Sequence, residues 1–212
     1  MTGFVRFPRP PRHMSQLGRV RVIRTVEEIS ERELIARLRR RDPRALVLAY
    51  ERCAPRVYAF LLRLVGSREL ADDLFQESWL KLARGADALS PQTELLAWLF
   101  TVGRNAFYSH VRKHARAVPL EDDWELPHDG HLPDHQMLVG IEVAHLEAAL
   151  QKLSVIDREV LLLVGVEGLS HERAAEVLSL EAAAFRKRLS RARTRFRTLL
   201  DGEPLGLRRS SS

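Results

Sequence analysis

The chain has 212 residues, a formal net charge of +6 and 45% hydrophobic residues. This length allows one or two small domains, and the hydrophobic fraction is sufficient for packed cores. A single cysteine, Cys53, excludes an internal disulfide framework and favours a buried thiol in a reducing compartment. No run approaches the roughly 20 apolar residues that span a bilayer, and no secretory signal follows the N-terminus. We therefore expect a cytoplasmic protein without direct membrane insertion.

Charge divides the chain into blocks. The first 24 residues contain six arginines, three prolines and no acidic residue, which is typical of a disordered basic arm, here predicted over residues 1–30. Residues 117–141 contain six acidic residues, three prolines and no Lys or Arg, which indicates a flexible acidic linker. Two helical domains are predicted on either side of it, at residues 31–116 and 142–200, with a disordered tail at residues 201–212. The fold class predicted is all-α.

Apolar periodicity predicts four helices in the first domain. Their predicted ranges are 33–40, 45–65, 68–84 and 94–114. Gly66 follows the second helix at a position where a left-handed residue commonly ends one. Pro55 lies inside that helix and is expected to kink it or to split it in two.

The third helix carries a compact polar and acidic surface opposite its apolar side. Its residues are Asp72, Asp73, Gln76 and Glu77. Their spacing places them on one side of a helix. Composition by itself favours an ordinary solvated helix face.

The fourth helix carries polar and basic residues beside its apolar stripe. They are Arg104, Asn105, Tyr108, Arg112 and Lys113, with Phe100 and Phe107 nearby. Aromatic rings interleaved with arginines provide both stacking faces and phosphate contacts, the combination that holds unpaired single-stranded bases. The alternative is that the aromatic rings belong to the core.

The last third of the chain predicts a helix-turn-helix. A short amphipathic segment at residues 169–178 is followed by a second helix. Its predicted apolar stripe consists of Phe185, Leu189, Ala192, Phe196 and Leu199. Seven of the twelve residues from Arg186 to Arg197 are Lys or Arg, and none is acidic. Such a helix carries repulsion that phosphates would relieve by counterion release, which favours DNA over a merely solvated face. The candidate DNA-binding residues are Arg186, Lys187, Arg188, Arg191 and Arg193.

The linker contains the one pattern that suggests a metal site. His128, His131 and His135 lie there with Asp129 and Asp134, at a spacing that permits coordination. Since no cysteine joins them and the segment is predicted to be flexible, solvated histidines are favoured. The chain also lacks a nucleophile–base pattern and a phosphate-binding glycine loop, so we expect neither an enzyme nor a cofactor.

Three segments, in this order, resemble the extracytoplasmic-function (ECF) group of bacterial RNA polymerase sigma factors. LADDLFQESWLKL at residues 70–82 is similar to the family's (A/E)DLVQETFL helix, and AWLFTVGRN at residues 97–105 is similar to its AWLFxIARN segment. Residues 153–193 resemble its LPxxxREV…EGLSYEEIAEILG…VKSRLSRAR stretch. The resemblance covers residues 33–116 and 142–200.

The resemblance implies a polymerase subunit with two DNA-binding domains. The first domain corresponds to sigma region 2: its acidic helix would bind the β′ clamp helices of core RNA polymerase, and its fourth helix would capture the −10 element. The second corresponds to region 4, whose basic helix would bind the −35 element. The linker would run through polymerase toward its active-site cleft and RNA exit path, and both the β′ and the β subunit of core polymerase are expected partners. An anti-sigma factor is a further expected partner.

The turn departs from the family pattern. Ser179 replaces the usual glycine, so we expect backbone strain or an altered turn. The segment from Glu181 to Ala184 has no hydroxyl that could cap the second helix. The alternative function is a stand-alone helix-turn-helix regulator, which would explain the basic helix but not the acidic one.

Overall fold

The computed structural model describes residues 29–114 and 141–202, and every regular element within these two ranges is helical. The all-α prediction is thereby confirmed for the described residues. Most of the predicted arm, linker and tail, including the linker histidines, lies outside them. Contacts group the described chain into two compact units, one of residues 29–62 and 68–114 and the other of residues 141–202 with residues 63–67.

The first unit is built from four helices, except that the last three residues of the second helix are grouped with the other unit. They are α1 (Glu31–Arg39), α2 (Pro43–Val65), α3 (Arg68–Gly85) and α4 (Leu95–His114), and a 3₁₀ turn at Ala86–Ala88 follows α3. Each predicted boundary lies within two residues of the observed one. The Ser30 hydroxyl accepts a hydrogen bond from the Glu33 N–H at 3.2 Å, so Ser30, predicted to lie in the arm, is the N-cap of α1.

Pro55 neither splits nor ends α2, which runs unbroken from Pro43 to Val65. A proline inside a helix removes one backbone hydrogen bond and crowds the preceding turn. Ala54, Val57 and Phe60 are nearly fully buried around it. We infer that burial of this apolar side outweighs the local cost of the proline.

Aromatic packing forms the core of the first unit. Trp79 of α3 is fully buried, and its ring lies 4.9 Å from that of Tyr50 in α2. Phe60 of α2 meets Phe100 of α4 at 4.8 Å. Cys53 is buried as predicted, and this burial, with a smaller contribution from Glu31, raises the pKa of its thiol to about 11.

The second unit contains α5 (Ile141–Gln151), α6 (Val155–Leu161), α7 (His171–Leu178) and α8 (Ala182–Gly202), with a π-helical segment at Leu162–Val166 after α6. Helices α7 and α8 form the predicted helix-turn-helix. Two predicted boundaries need correction. Ile141, assigned to the linker, begins α5, and α8 continues to Gly202, two residues into the predicted tail.

A buried arginine organises the junction between α5 and α6. The guanidinium of Arg158 donates to the carbonyls of Leu150, Gln151 and Leu153 at 3.0, 2.6 and 3.2 Å. These carbonyls lie at and just beyond the end of α5, where the helix leaves acceptors unsatisfied. Burial lowers the pKa of Arg158 to about 10, so the side chain remains protonated at neutral pH. Sequence analysis did not assign it this role.

The stripe predicted on α8 is confirmed in its N-terminal half. Phe185, Leu189 and Ala192 are buried, whereas Phe196 and Leu199 are only half-buried. Ala174 and Val177 of α7 are also buried. Burying one side of α8 at its N-terminal end leaves the opposite side of the helix exposed there.

Candidate protein-binding and DNA-binding surfaces

The acidic α3 surface consists of Asp72, Asp73, Gln76 and Glu77. The structure brings them together on one side of the helix, but it exposes them unequally: Asp73 and Glu77 are exposed, and Gln76 is half-buried. Glu77 also forms an ion pair of 3.0 Å with Lys81, one turn later. Because both side chains are nearly half exposed, this pair is weak and leaves the carboxylate accessible to a partner.

Asp72 differs from the other three residues because it is buried. Its side chain accepts a hydrogen bond of 2.9 Å from the Tyr58 hydroxyl of α2, and the residue is only 9% exposed. This contact joins α3 to α2 inside the first unit. Asp72 is therefore placed to hold α3 in position, while Asp73 and Glu77 present the accessible charge.

The α4 surface consists of Arg104, Asn105, Tyr108, Arg112 and Lys113. The guanidinium of Arg104 lies 4.6 Å from the centre of the Tyr108 ring, a cation–π distance that orders both side chains. Asn105, Arg112 and Lys113 are exposed. Arg104 and Tyr108 are both half-buried, so part of each side chain remains exposed. A positive group above a partly exposed ring can offer a base both a stacking plane and a phosphate contact.

The two phenylalanines near this surface have a different role. Phe100 and Phe107 are fully buried, so they belong to the core, the alternative that the sequence left open. The Phe107 ring meets the Tyr108 ring edge-on at 5.2 Å. Phe107 thus packs against the Tyr108 ring. Unlike the two phenylalanine rings, Tyr108 is half-buried, so part of its side chain remains exposed.

His110 on α4 lies close enough to Asp73 and Glu77 of the acidic α3 surface for their charges to act on it, which the sequence did not reveal. Its ring stacks on that of His114 at 4.0 Å. Partial burial, with the nearby His114, lowers the pKa of His110, although the carboxylates of Asp73 and Glu77 act in the opposite direction. The C-terminal half of α4 therefore lies beside the acidic α3 surface. The sequence does not show that His110 lies near Asp73 and Glu77, because this proximity arises only when α4 packs against α3.

The turn between α7 and α8 is a Schellman motif formed without glycine. Ser179 has φ 55° and ψ 41°, in the left-handed region. Its N–H donates to the Glu176 carbonyl at 3.0 Å, and the Leu180 N–H donates to the Ala175 carbonyl at 2.9 Å. The expected strain at Ser179 is thus observed, and the turn keeps its usual hydrogen bonds. At the start of α8 the Glu181 carbonyl accepts from the Phe185 N–H.

The α8 basic face consists of Arg186, Lys187, Arg188, Arg191 and Arg193. All are exposed except Arg188, which is half-buried. At 100° per residue they fall on two sides of the buried stripe, with Lys187, Arg188 and Arg191 on one side and Arg186 with Arg193 on the other. On the latter side Arg186 lies near Glu172 of α7. Hydrogen bonds from its own N–H and from the Ser170 hydroxyl lower the pKa of Glu172, and Arg186 reinforces this shift electrostatically.

A shallow groove runs along the Lys187 side of α8. It is lined by Asp157, Leu180, Ala184, Lys187, Arg188, Arg191 and Arg195. Arg195 donates to the Asp157 carboxylate at 2.6 Å. Neither residue was singled out from the sequence, because the pair is separated by 38 residues and becomes visible only when α6 packs against α8.

Two general properties of the described residues bear on function. Within residues 29–114 and 141–202, none of the helices combines the length and the apolar character that a membrane span requires. The same two ranges contain no cluster of three His, Cys, Asp or Glu side chains able to hold a metal ion.

Comparison with known proteins identifies two family regions. The profile described as Sigma-70 region 2 matches residues 49–117, and the profile described as Sigma-70, region 4 matches residues 145–196. The first match includes the acidic α3 surface and the α4 surface, and the second includes the helix-turn-helix.

Individual relatives agree with these matches. The chain is 38% identical to the ECF RNA polymerase sigma factor EcfG of Rhodopseudomonas palustris (strain TIE-1), over 69% of this chain and 80% of the relative. It is 32% identical to the ECF RNA polymerase sigma factor SigM of Bacillus subtilis (strain 168), over 68% and 87%. Among solved structures, the sigma factor RpoE in complex with the anti-sigma factor NepR from Bartonella quintana matches with a TM-score of 0.62 and 31% identity, over 75% of this chain and 96% of that one.

Proposed function

Since the chain belongs to the ECF RNA polymerase sigma factors, we propose that its two units divide the work of transcription initiation between them. The protein is a sigma factor that binds core RNA polymerase and directs promoter-specific initiation. In our proposal residues 31–116 bind polymerase and the −10 element, and residues 142–200 bind the −35 element. The helix-turn-helix with its basic second helix is the observation that carries this division.

The acidic α3 surface is the proposed polymerase-binding site. Asp73 and Glu77 present accessible carboxylates one turn apart, with Gln76 beside them. Such a surface complements basic residues on a protein partner, which gives specificity and a faster encounter. Asp72 contributes by fixing α3 through its hydrogen bond with Tyr58.

The α4 surface is the proposed site for unpaired bases of the −10 element. Tyr108, ordered by Arg104 above it and supported by Phe107, offers a plane for base stacking. Asn105 has an amide that can pair with base edges, and Arg112 and Lys113 are exposed at the end of the helix for phosphates.

The α8 basic face is the proposed site for the −35 element. A recognition helix enters the major groove with its N-terminal residues against base edges. Lys187 and Arg191 are exposed and one turn apart near that end, with the half-buried Arg188 on the same side and Arg186 and Arg193 on the other side. Duplex DNA that meets both sides would be held by its two phosphate backbones.

We also propose that the protein acts in the cytoplasm under the control of an anti-sigma factor. The solved relative from Bartonella quintana is bound to one, and its sequence is 31% identical to this chain. The cytoplasm is where core polymerase and DNA are available to it.

Run-off transcription tests the proposal as a whole. Purified full-length protein is added to core RNA polymerase with a library of genomic fragments, and core polymerase without the protein is the control. We expect discrete transcripts that depend on the added protein, and the fragments that yield them define its promoters. Transcription that is unchanged by the protein would contradict the proposal.

Charge reversal tests the polymerase-binding site. We expect the combined change Asp73→Lys and Glu77→Lys to reduce co-purification with core polymerase at least tenfold, because like charges then face the partner's basic residues. The matched control is Glu51→Lys, which reverses an exposed charge on α2. Equal retention of both variants by core polymerase would show that the site lies elsewhere.

A further inference from the structure

One basic residue of the groove stands outside the proposed DNA-binding set. Arg195 lines the same groove as Lys187, Arg188 and Arg191, and on a helix it lies one turn from Arg191. Its side chain is 56% exposed, so solvent and ligands can reach the guanidinium. Its position along α8 continues the row of cations away from the N-terminal end.

A buried carboxylate holds this guanidinium. The side chain of Asp157 is only 2% exposed, and it meets Arg195 at 2.6 Å. Asp157 is itself fixed in the first turn of α6, where its N–H donates to the Ser154 hydroxyl at 3.4 Å. An arginine tied on one side to a rigid acceptor keeps donors in a planar fork, which suits the geometry of a phosphate.

We propose that Arg195 is an additional DNA-phosphate contact of the second unit and that Asp157 is the residue that positions it. The groove then binds one DNA backbone strand along a line from Lys187 through Arg191 to Arg195. This inference rests on the proposed binding of the −35 element by α8 and extends it to a residue outside the N-terminal turns of the helix.

The direction in which Asp157→Asn changes the DNA affinity distinguishes a positioning role of Asp157 from an effect of its charge alone. Asp157→Asn removes a negative charge beside the groove, so an effect of charge alone would strengthen DNA binding. Positioning predicts the opposite, because an Asn side chain holds the guanidinium less firmly and more side-chain freedom is lost on binding. In an Arg195→Gln background Asp157→Asn should no longer weaken binding, because the side chain that it positions is gone.

The experiment measures binding of the full-length protein to a fluorescein-labelled duplex of 30 base pairs and fixed arbitrary sequence. Since phosphate contacts carry no sequence information, this probe does not require the promoter. Dissociation constants are measured over a series of salt concentrations for the wild type and for Asp157→Asn, Arg195→Gln, their combination and Arg195→Lys. Lys187→Gln tests whether the α8 basic face binds this DNA at all. Arg197→Gln removes an exposed charge from the other side of α8 and is the matched control.

We expect Arg195→Gln to weaken binding roughly tenfold and to reduce the salt slope by about 0.9, the value for one lost phosphate contact. Asp157→Asn should weaken binding severalfold, Arg195→Lys should retain the slope, and Arg197→Gln should change neither quantity. Thermal unfolding of each variant identifies a purely structural loss, which would lower the melting temperature without changing the salt slope.

Three results would overturn the inference. If Lys187→Gln reduces the slope but Arg195→Gln does not, Arg195 is not a contact and the proposed surface stands. If neither reduces it, the proposed surface fails as well. If Asp157→Asn strengthens binding, Asp157 does not position Arg195.

Discussion

Ser179 occupies a backbone conformation that glycine adopts at little cost and that an L-residue adopts under strain. Its φ of 55° places Cβ against the following carbonyl, at a cost of roughly 1–2 kcal/mol. Glycine there would remove this strain but would lose about 0.5–1 kcal/mol through the greater freedom of the unfolded chain. The hydrogen bonds of the turn do not depend on the side chain. Ser179→Gly should therefore give a net stabilisation of the α7–α8 turn.

We predict that Ser179→Gly stabilises the turn by about 0.5–1 kcal/mol. Hydrogen–deuterium exchange of the α7 and α8 amides should slow roughly two- to fivefold. The control is Ser190→Gly, the same substitution at an exposed position inside α8, which should accelerate exchange because glycine weakens a helix interior. Faster exchange in Ser179→Gly would mean that the serine side chain stabilises the turn by a contact of its own.

At the scale of single residues, sequence reasoning succeeded where the cause is local. The strain at Ser179 follows from its place in the turn, and the burial of Cys53 follows from the apolar pattern around it. It did not anticipate the burial of Asp72 or the pairing of Asp157 with Arg195. Each of these depends on a partner 14 or 38 residues away, which periodicity along one helix does not reveal.

At the scale of elements, the helices of the first unit and the helix-turn-helix were predictable because their apolar periodicity is strong, whereas no ranges were predicted for α5 and α6. Pro55 shows the limit of that reasoning. A local rule predicts a break or kink, whereas tertiary burial keeps α2 continuous through the proline. The division of the α8 basic face into two sides was implicit in the sequence, but its significance depends on the groove, which also needs Asp157 of α6 and Leu180 of the α7–α8 turn.

The packing of α4 on its neighbours depends on a small residue, which leads to a prediction. A Cβ atom at Gly103 would lie 2.9 Å from the Leu61 side chain of α2 and 3.3 Å from the Ser78 hydroxyl of α3. Leu61 and Ser78 are themselves fully buried, so neither moves without disturbing the core. We predict that Gly103→Val destabilises the first unit by about 1–3 kcal/mol, as measured by urea unfolding followed through tryptophan fluorescence.

Gly85→Val is the control for this prediction. Gly85 lies at the end of α3, and a Cβ atom there would meet nothing within 4 Å. We expect Gly85→Val to change the free energy of unfolding of the protein by less than about 1 kcal/mol. Equal effects of the two substitutions would show that close packing at Gly103 is not the cause.

At the scale of the whole molecule, the two units are in our proposal tethered DNA contacts, each of which binds one promoter element. Once one unit binds its promoter element, the other meets its own element at a high effective concentration, so two modest affinities combine into a strong one. The basic α8 and the accessible ring of α4 belong to different units, so the two contacts have no shared side chains. Their binding free energies should therefore be additive.

We predict that the losses caused by weakening the two DNA contacts are additive in free energy. One variant carries Arg112→Gln with Lys113→Gln, a second carries Lys187→Gln with Arg191→Gln, and a third carries all four changes. On a promoter recovered by run-off transcription, at subsaturating protein, we expect losses of roughly tenfold for each pair and about a hundredfold for the four together. Arg32→Gln with Arg39→Gln removes two exposed charges from α1 and should leave transcription nearly unchanged. If the fourfold variant is no weaker than the weaker of the two pairs, the contacts are not made simultaneously. Tethering would then not be the source of promoter affinity.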